Sequence, residues 1–523
     1  AFGNTPGLDY IPNHHEQASS IAAEAYSRIN GRLGCALVTT GPGGTNAVTG
    51  CAGAWIESVP LLIVSGQVKR ADLMGSSGVR QMGPQEVDIV SIVRPITKYA
   101  VTVLDPQDIR YQMEKAVHLA THGRRGPVWI DVPLDVQAAM IDPDALKGFA
   151  PPAPDARAKE SLAAHCARAL QLIASAERPL ILAGHGIRLA EAAGPFRALY
   201  EALNIPVVTT WNATDLIPAD HPLSVGKPGV VALRAPNFAI QNSDLVIAIG
   251  ARLDNVVTAH NPAKFGRCAQ KIMVDVDSAE LAKFDGVDNF AMRVQADARD
   301  FIEAMLPLAR AASPKPRREW LARCLDWKRR YPINDGAPFP KSGPIGHFHL
   351  TQALSDELPA DTLIVTGSSG LAIEFFYTGF QNKEGQRVFL TSGLGAMGYG
   401  LPAMIGAYMA SDRKPFVGIE SDGSLMMNLQ EMQTIASHKL PLRLFLFNNN
   451  GYASIRNTQR NYFDGRYVGS GPVGKLDIPD LVAVAKTFGW DAFRIEDAAD
   501  LHGGIQRALS HRGPLLVDVR LVN

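Results

Sequence analysis

Strand-length apolar runs alternate along this chain with stretches whose apolar positions recur at helical spacing, and Gly, Pro or Asp closes most of the runs. GCALVTTG, VPLLIVSG and GPVWIDVP form a first series. RPLILAG, IPVVTTW, SDLVIAIGARLD and KIMVDVD form a second, and DTLIVTGSSG, RVFLTSG, KPFVGIESDG, LRLFLFNNNG and GPLLVDVRLV a third. Such continuous apolar runs suit parallel strands covered on both faces, and their alternation with helices predicts α/β architecture: three doubly wound parallel-sheet domains. The stretches IDPDALKGFAPPAPDARAKE and ASPKPRREW, rich in Pro and charge, read as connections. They divide the chain into domains at 1–142, 160–312 and 343–523.

Length agrees, since 523 residues suit about three domains of ~100–200 residues each. With 51 basic against 51 acidic side chains there is no electrostatic case for a nucleic-acid or anionic-membrane partner. The apolar runs fall well short of the ~18–20 residues a membrane span needs. Cys35, Cys51, Cys166, Cys268 and Cys324 are scattered without CxxC spacing, so neither a disulfide framework nor a zinc site is indicated, and a cytoplasmic location is expected. The chain opens on Ala1 without an initiator Met, so the first domain is expected to be N-terminally incomplete.

The chemistry concentrates at residues 420–459. KPFVGIE and LRLFLFN flank MNLQEMQTIASH, in which Leu429, Met432, Ile435 and Ala436 share one helical face. A right-handed βαβ unit brings the carboxyl ends of its strands to one sheet edge, so Asp422 and Asn449 converge there. A carboxylate, an amide oxygen and a backbone carbonyl near Gly451 are hard donors suited to Mg²⁺. Asp-Gly and Asn-Gly are also common turn pairs, and either alone reads as a turn. A competing reading comes from Gly393-x-Gly395-x-x-Gly398, which follows a strand and precedes Glu420 by 22 residues, like a dinucleotide fingerprint.

The joint spacing, SDG followed by 24 residues and then Asn448-Asn449, resembles the thiamine diphosphate signature, with Ser421 in place of its first Gly. HHEQASSIAAEAYSRINGRLGCALVTTGPGGTNAVTG resembles the matching first-domain segment of the acetolactate synthase family, and further motifs, including GLGAMGYGLPAMIGA, carry the likeness through nearly the whole chain. The resemblance implies that Glu16 hydrogen-bonds the cofactor's aminopyrimidine and promotes formation of the ylid. It places Pro42 and Asn46 along the pyrimidine, and Gly395 and Met397 where the cofactor is gripped and bent. Gly423, Ser424 and Tyr452 join this cofactor-binding set, with Asp422, Asn449 and Gly451 holding Mg²⁺. TGSSGLA stands where the synthases have Asp-Val-Gly-Gln-His, so Ser369 is expected to substitute at the diphosphate. His14 and His15 read as a local hydrogen-bonding pair.

In the central domain the same resemblance implies an FAD held by Gly184, Gly186, Arg252, Asp275 and Asp297. The segment GKPGVVALRAPN departs from the family's Gly-Met-His-Gly, leaving an empty or ADP-binding domain open. The implied reaction decarboxylates a 2-oxo acid such as pyruvate and transfers the acyl unit to a carbonyl acceptor, with Gln85 and Lys98 facing the substrate. Asn457 and Thr458 replace a Gln-Trp pair that selects the acceptor in the synthases, which resembles carboligases of branched-sugar (yersiniose) biosynthesis that use a keto-sugar nucleotide. Arg456 and Arg460 could meet such a ligand's phosphates, or simply be helix-surface charges. A homodimer or homotetramer is implied, with the site between one chain's first domain and another's third. Acetolactate synthesis proper, simple decarboxylation, a nicotinamide-dependent oxidoreductase and a silent nucleotide-binding scaffold remain as alternatives.

Overall fold

The computed structural model describes residues 3, 5–153, 156–312, 315–368, 370–411 and 415–522, without the side chains of 156–159. Three sheets carry the fold, and every strand pairing among the described residues is parallel. The first sheet contains β1 (Gly34–Val38), β2 (Leu61–Gln67), β3 (Tyr99–Thr102) and β4 (Pro127–Pro133), in the order β1-β2-β4-β3. The second contains β5 (Pro179–Ala183), β6 (Val207–Thr209), β7 (Ser224–Gly226), β8 (Leu245–Ile249), β9 (Gln270–Asp275) and β10 (Phe290–Gln295), ordered β7-β6-β5-β8-β9-β10. The third contains β11 (Ile345–Gly346), β12 (Leu363–Thr366), β13 (Arg387–Phe389), β14 (Phe416–Ser421), β15 (Arg443–Asn448), β16 (Asp491–Ile495) and β17 (Leu515–Val522). Its order is β13-β12-β14-β15-β17-β11, with β16 also on β17.

Burial explains the apolar runs, since every residue of β5 and of β8 is buried, as strands covered on both faces require. The strand order then positions the sites. In the second sheet the winding reverses between β5 and β8, and in the third between β12 and β14. Open α/β sheets place ligands outside the carboxyl ends of strands at such reversals.

The helix read over the segment 427–438 is shorter, Glu431–Ser437. Asn428 is fully buried and donates its side-chain amide to the Gly398 carbonyl at 2.8 Å, a bond that competes with a helical path. Helix Arg318–Arg330 lies in the stretch read as the second connection, yet Trp320 and Cys324 pack into the central domain's core.

Buried polar groups knit the three domains. Helix α1 (Glu16–Asn30) sends Ile21 and Ala25 into the third domain's core, and at Gly406 any Cβ would lie 1.8 Å from the Ala22 carbonyl oxygen. Arg28 pairs with Glu24 at 2.5 Å, and Tyr399 of the third domain donates to Glu24 at 2.8 Å. Glu57 ends helix α2 (Pro42–Glu57) and accepts from Asn212 at 2.9 Å and Ser392 at 3.1 Å. Asp215 accepts from Arg188 at 3.1 Å and Arg387 at 2.7 Å.

Candidate active site

Strands β14 and β15 pair with Ser421 opposite Phe447, so Asp422 and Asn449 leave the sheet at one edge, beside the β12/β14 reversal. Asp422 Oδ2 accepts from the Gly451 N–H at 2.7 Å. Its other oxygen, Oδ1, is buried without a hydrogen-bond partner, and so is Asn449 Oδ1. Buried polar atoms are seldom left unpaired, because the lost hydration costs about 1–3 kcal/mol each. Two such oxygens on facing loops fit a hard divalent cation, which would satisfy both. Burial pushes the Asp422 carboxyl up to about 6, so cation binding also costs a deprotonation at low pH. The neighbouring Asn448 is spent structurally, donating to Asp518 at 2.8 Å.

The surroundings are close-fitting. A Cβ on Gly423 would meet the Tyr452 ring at 2.4 Å, and Tyr452 is held by its N–H donating to the Ser470 carbonyl at 2.9 Å. Ser424 is buried and its hydroxyl accepts from the Gly398 N–H at 2.9 Å, so it serves the turn carrying Gly395 and Met397. Gly395 has φ +65°, Met397 is half-buried, and Ser368 Oγ donates to the Ala396 carbonyl on that turn. Ser369 lies outside the described residues. Glu420 points inward, accepting from the Ser421 N–H at 2.9 Å and the Gly400 N–H at 3.0 Å. Glu420 is fully buried behind these bonds and is not presented to a ribose, so the dinucleotide reading of this segment fails.

Arg456 also departs from expectation. Its guanidinium donates to the carbonyls of Asn449 at 2.6 Å, Asn450 at 2.9 Å and Ser470 at 2.8 Å. It clamps the loop that carries Asn449, where Asn450 and Gly451 hold φ of +62° and +114°. Arg460 donates to Asn457 on the helix surface.

In the first domain, Glu16 opens α1 and its Oε2 accepts from Asn46 Nδ2 at 3.0 Å. Pro42 opens α2 at the carboxyl end of β1. Gln85 lies against the same turn: it holds φ +68°, its carbonyl accepts from Thr40 Oγ1 at 3.1 Å, and a Cβ on Gly41 would meet that carbonyl oxygen at 2.5 Å. Lys98 does not join them. It precedes β3 and so sits at the opposite sheet edge, donating to the His122 carbonyl at 2.7 Å, and burial lowers its ammonium to about 8. The two histidines are not a mutual pair. His15 caps α1 by accepting from the Gln17 N–H at 3.2 Å, and the His14 N–H donates to Glu431 at 3.0 Å. Glu431, unremarked in the sequence as one more acid in a helix's first turn, thereby ties the Glu16 segment to the third domain. Among the described residues no hydrogen bond or ion pair joins Glu16 or Asn46 to Asp422 or Asn449.

Comparison with known proteins bears directly on this arrangement. Three family models match in succession: the thiamine pyrophosphate enzyme N-terminal TPP binding domain over residues 1–92, the central domain over 166–305 and the C-terminal TPP binding domain over 366–519. The acetolactate synthase large subunit of Parasynechococcus marenigrum is 34% identical over 523 residues, covering 98% of this chain and 81% of that protein. The acetolactate synthase isozyme 1 large subunit of Escherichia coli is 32% identical, covering 100% of this chain and 88% of that protein. The chain belongs to the thiamine diphosphate-dependent, acetolactate synthase-like family.

Membership makes it a carbon–carbon bond-forming enzyme, and the scaffold and oxidoreductase alternatives fall. In the central domain a cleft of about 390 Å³ opens at the β5/β8 reversal. Gly186, Arg252, Asp275 and Asp297 line it. Gly184 does not: a Cβ there would meet the Gly250 carbonyl oxygen at 2.0 Å, so its small size serves backbone packing. Arg252 reaches the Ile56 carbonyl at 2.8 Å. Asp275 and Asp297 each cap a backbone N–H, of Asp277 and Arg299. No helix among the described residues is long and apolar enough to cross a membrane.

Proposed function

We propose that this enzyme decarboxylates a 2-oxo acid of the pyruvate type and transfers the acyl unit to a second carbonyl compound. The supporting observation is the pair of buried, partnerless oxygens, Asp422 Oδ1 and Asn449 Oδ1, at a switch point of the third sheet. They would hold Mg²⁺, with the Gly451 carbonyl as a third ligand and the turn at Gly395–Met397 seating the thiamine diphosphate. When bound, thiamine diphosphate supplies a nucleophilic carbon that adds to the 2-oxo acid and delocalises the charge left by decarboxylation. Glu16, oriented by Asn46, holds the proton at the aminopyrimidine ring. Gln85, beside Pro42, faces the substrate, and Lys98 at the far edge has no place in that role within its own domain.

We further propose a homodimer or homotetramer, in which a second copy completes the site. The central cleft is within the ~300–1,000 Å³ of small-molecule sites and suits FAD or its ADP portion. The free cysteines suit a reducing compartment such as the cytoplasm. The keto-sugar acceptor rests on Asn457 and Thr458 alone, so the acceptor is given as a carbonyl compound. The test is mass analysis of products formed from pyruvate with thiamine diphosphate and Mg²⁺, with and without added ketones. A pyruvate-derived carboligation product absent from Glu16→Gln supports the reading, free acetaldehyde alone would favour simple decarboxylation, and no pyruvate consumption would overturn both.

A further inference from the structure

A cavity of about 210 Å³ lies where the central domain meets the third, apart from both the thiamine region and the β5/β8 cleft. Thr209, Thr214, Lys227, Lys328, Thr378 and Gln381 are among its lining residues. Lys227 is only 9% exposed, and the charge acting on it is a second ammonium, Lys328. A buried cation is costly unless paired, and two together are more so. An ammonium has three donors. That of Lys227 uses one, to the Phe380 carbonyl at 3.0 Å. Lys328 is anchored to the carbonyls of Ala219 and Ser224. Thr378 Oγ1, on a residue 8% exposed, is buried with no hydrogen-bond partner. Two lysines, unused ammonium donors and an orphaned hydroxyl therefore converge on one cavity.

We propose that this cavity binds a small oxyanion, phosphate or carboxylate, through Lys227, Lys328 and Thr378. An anion would take the spare Lys227 donors in charge-assisted bonds and accept from Thr378 Oγ1. The site touches the catalytic region through one element. Lys227 donates to the carbonyl just after helix Leu371–Gly379, whose first N–H donates to Ser454 Oγ at 3.0 Å, in the helix that follows the Asn449 loop.

The experiment is calorimetric titration of the holoenzyme, saturated with thiamine diphosphate and Mg²⁺, with inorganic phosphate in one arm and acetate in the other. Saturable binding of one anion per chain is expected, weakened about tenfold or more by Lys227→Met and several-fold by Thr378→Val. The arm that binds identifies the anion class. Melting temperature should rise with the bound anion in the wild type and not in Lys227→Met. Thr378→Val, which preserves side-chain shape, carries the test should Lys227→Met fail to fold. Absence of saturable binding in both arms, or affinity unchanged in the variants, overturns the proposal, and neither result touches the assignment of the thiamine site.

Discussion

Replacing Arg456 with Met keeps the aliphatic stem and removes three hydrogen bonds, to the carbonyls of Asn449, Asn450 and Ser470. Hydrogen bonds from a charged donor contribute about 1.5–3 kcal/mol each when buried. Arg456 is half-buried and its bonds share one loop, so the low end applies and the terms are not additive. Loss of the guanidinium also removes a positive charge near Asp422, which favours a cation, but at a solvated position that term stays within about 1 kcal/mol. Loop disorder therefore wins, by about 2 kcal/mol, or about 30-fold in Mg²⁺–thiamine diphosphate affinity. The assay is cofactor titration followed by protein fluorescence, with kcat measured at saturating cofactor. A positioning role predicts the affinity loss with kcat within about twofold of wild type, and only partial rescue by Arg456→Lys, since an ammonium cannot span three carbonyls as a planar fork does. Affinity within threefold of wild type would refute the reasoning, and kcat lost at full saturation would mean that Arg456 touches substrate.

Other outcomes follow from the same geometry. Gly423→Ala should abolish cofactor binding at ordinary concentrations, because its Cβ would press on the Tyr452 ring; retained binding by titration would show that the ring yields. Arg28→Met, which leaves Glu24 and Glu57 buried without their cation, should destabilise the chain by about 3–5 kcal/mol, read as a lowered melting temperature; an unchanged one would mean the two acids take up protons at no cost. Lys227 is lowered to about 7 by burial, below its unfolded value of about 10.4, so the unfolded state binds more protons between those limits and stability rises with pH across them. Lys227→Met in anion-free buffer should flatten that rise, leaving the part due to Lys328, which burial also lowers; thermal melts from pH 7 to 10 check the slope.

Much of the architecture was legible because it rests on local signals. Runs such as LILA in β5 and LFLF in β15 are apolar throughout, which only a strand buried on both faces requires, and the turn residues after them mark the carboxyl edge. Asp422 and Asn449 were legible as a pair because βαβ handedness brings adjacent strand ends together without reference to the rest of the chain. Glu16 and Asn46 likewise sit on helices flanking one strand.

What local pattern could not decide is where long side chains turn and what lies across a domain boundary. Arg456 had the spacing of a surface charge, and only the fold put three carbonyls in its reach. Lys98 and Gln85 looked equivalent along the chain, yet the one precedes a strand and the other lies over a turn at the opposite edge, so the sheet separates them. Gly184 matched a ligand-approach glycine, while its neighbour across the β5/β8 reversal is what excludes a Cβ. Glu431, Lys227 and the Arg28–Glu24–Glu57 cluster owe their roles to partners far away in sequence, and the His14 contact of Glu431 spans 417 residues. Periodicity and turn chemistry are set within a few residues, so the sequence alone determined the three sheets and their functional edges; burial and charge pairing are set by the assembled domains, and those only the tertiary structure decided.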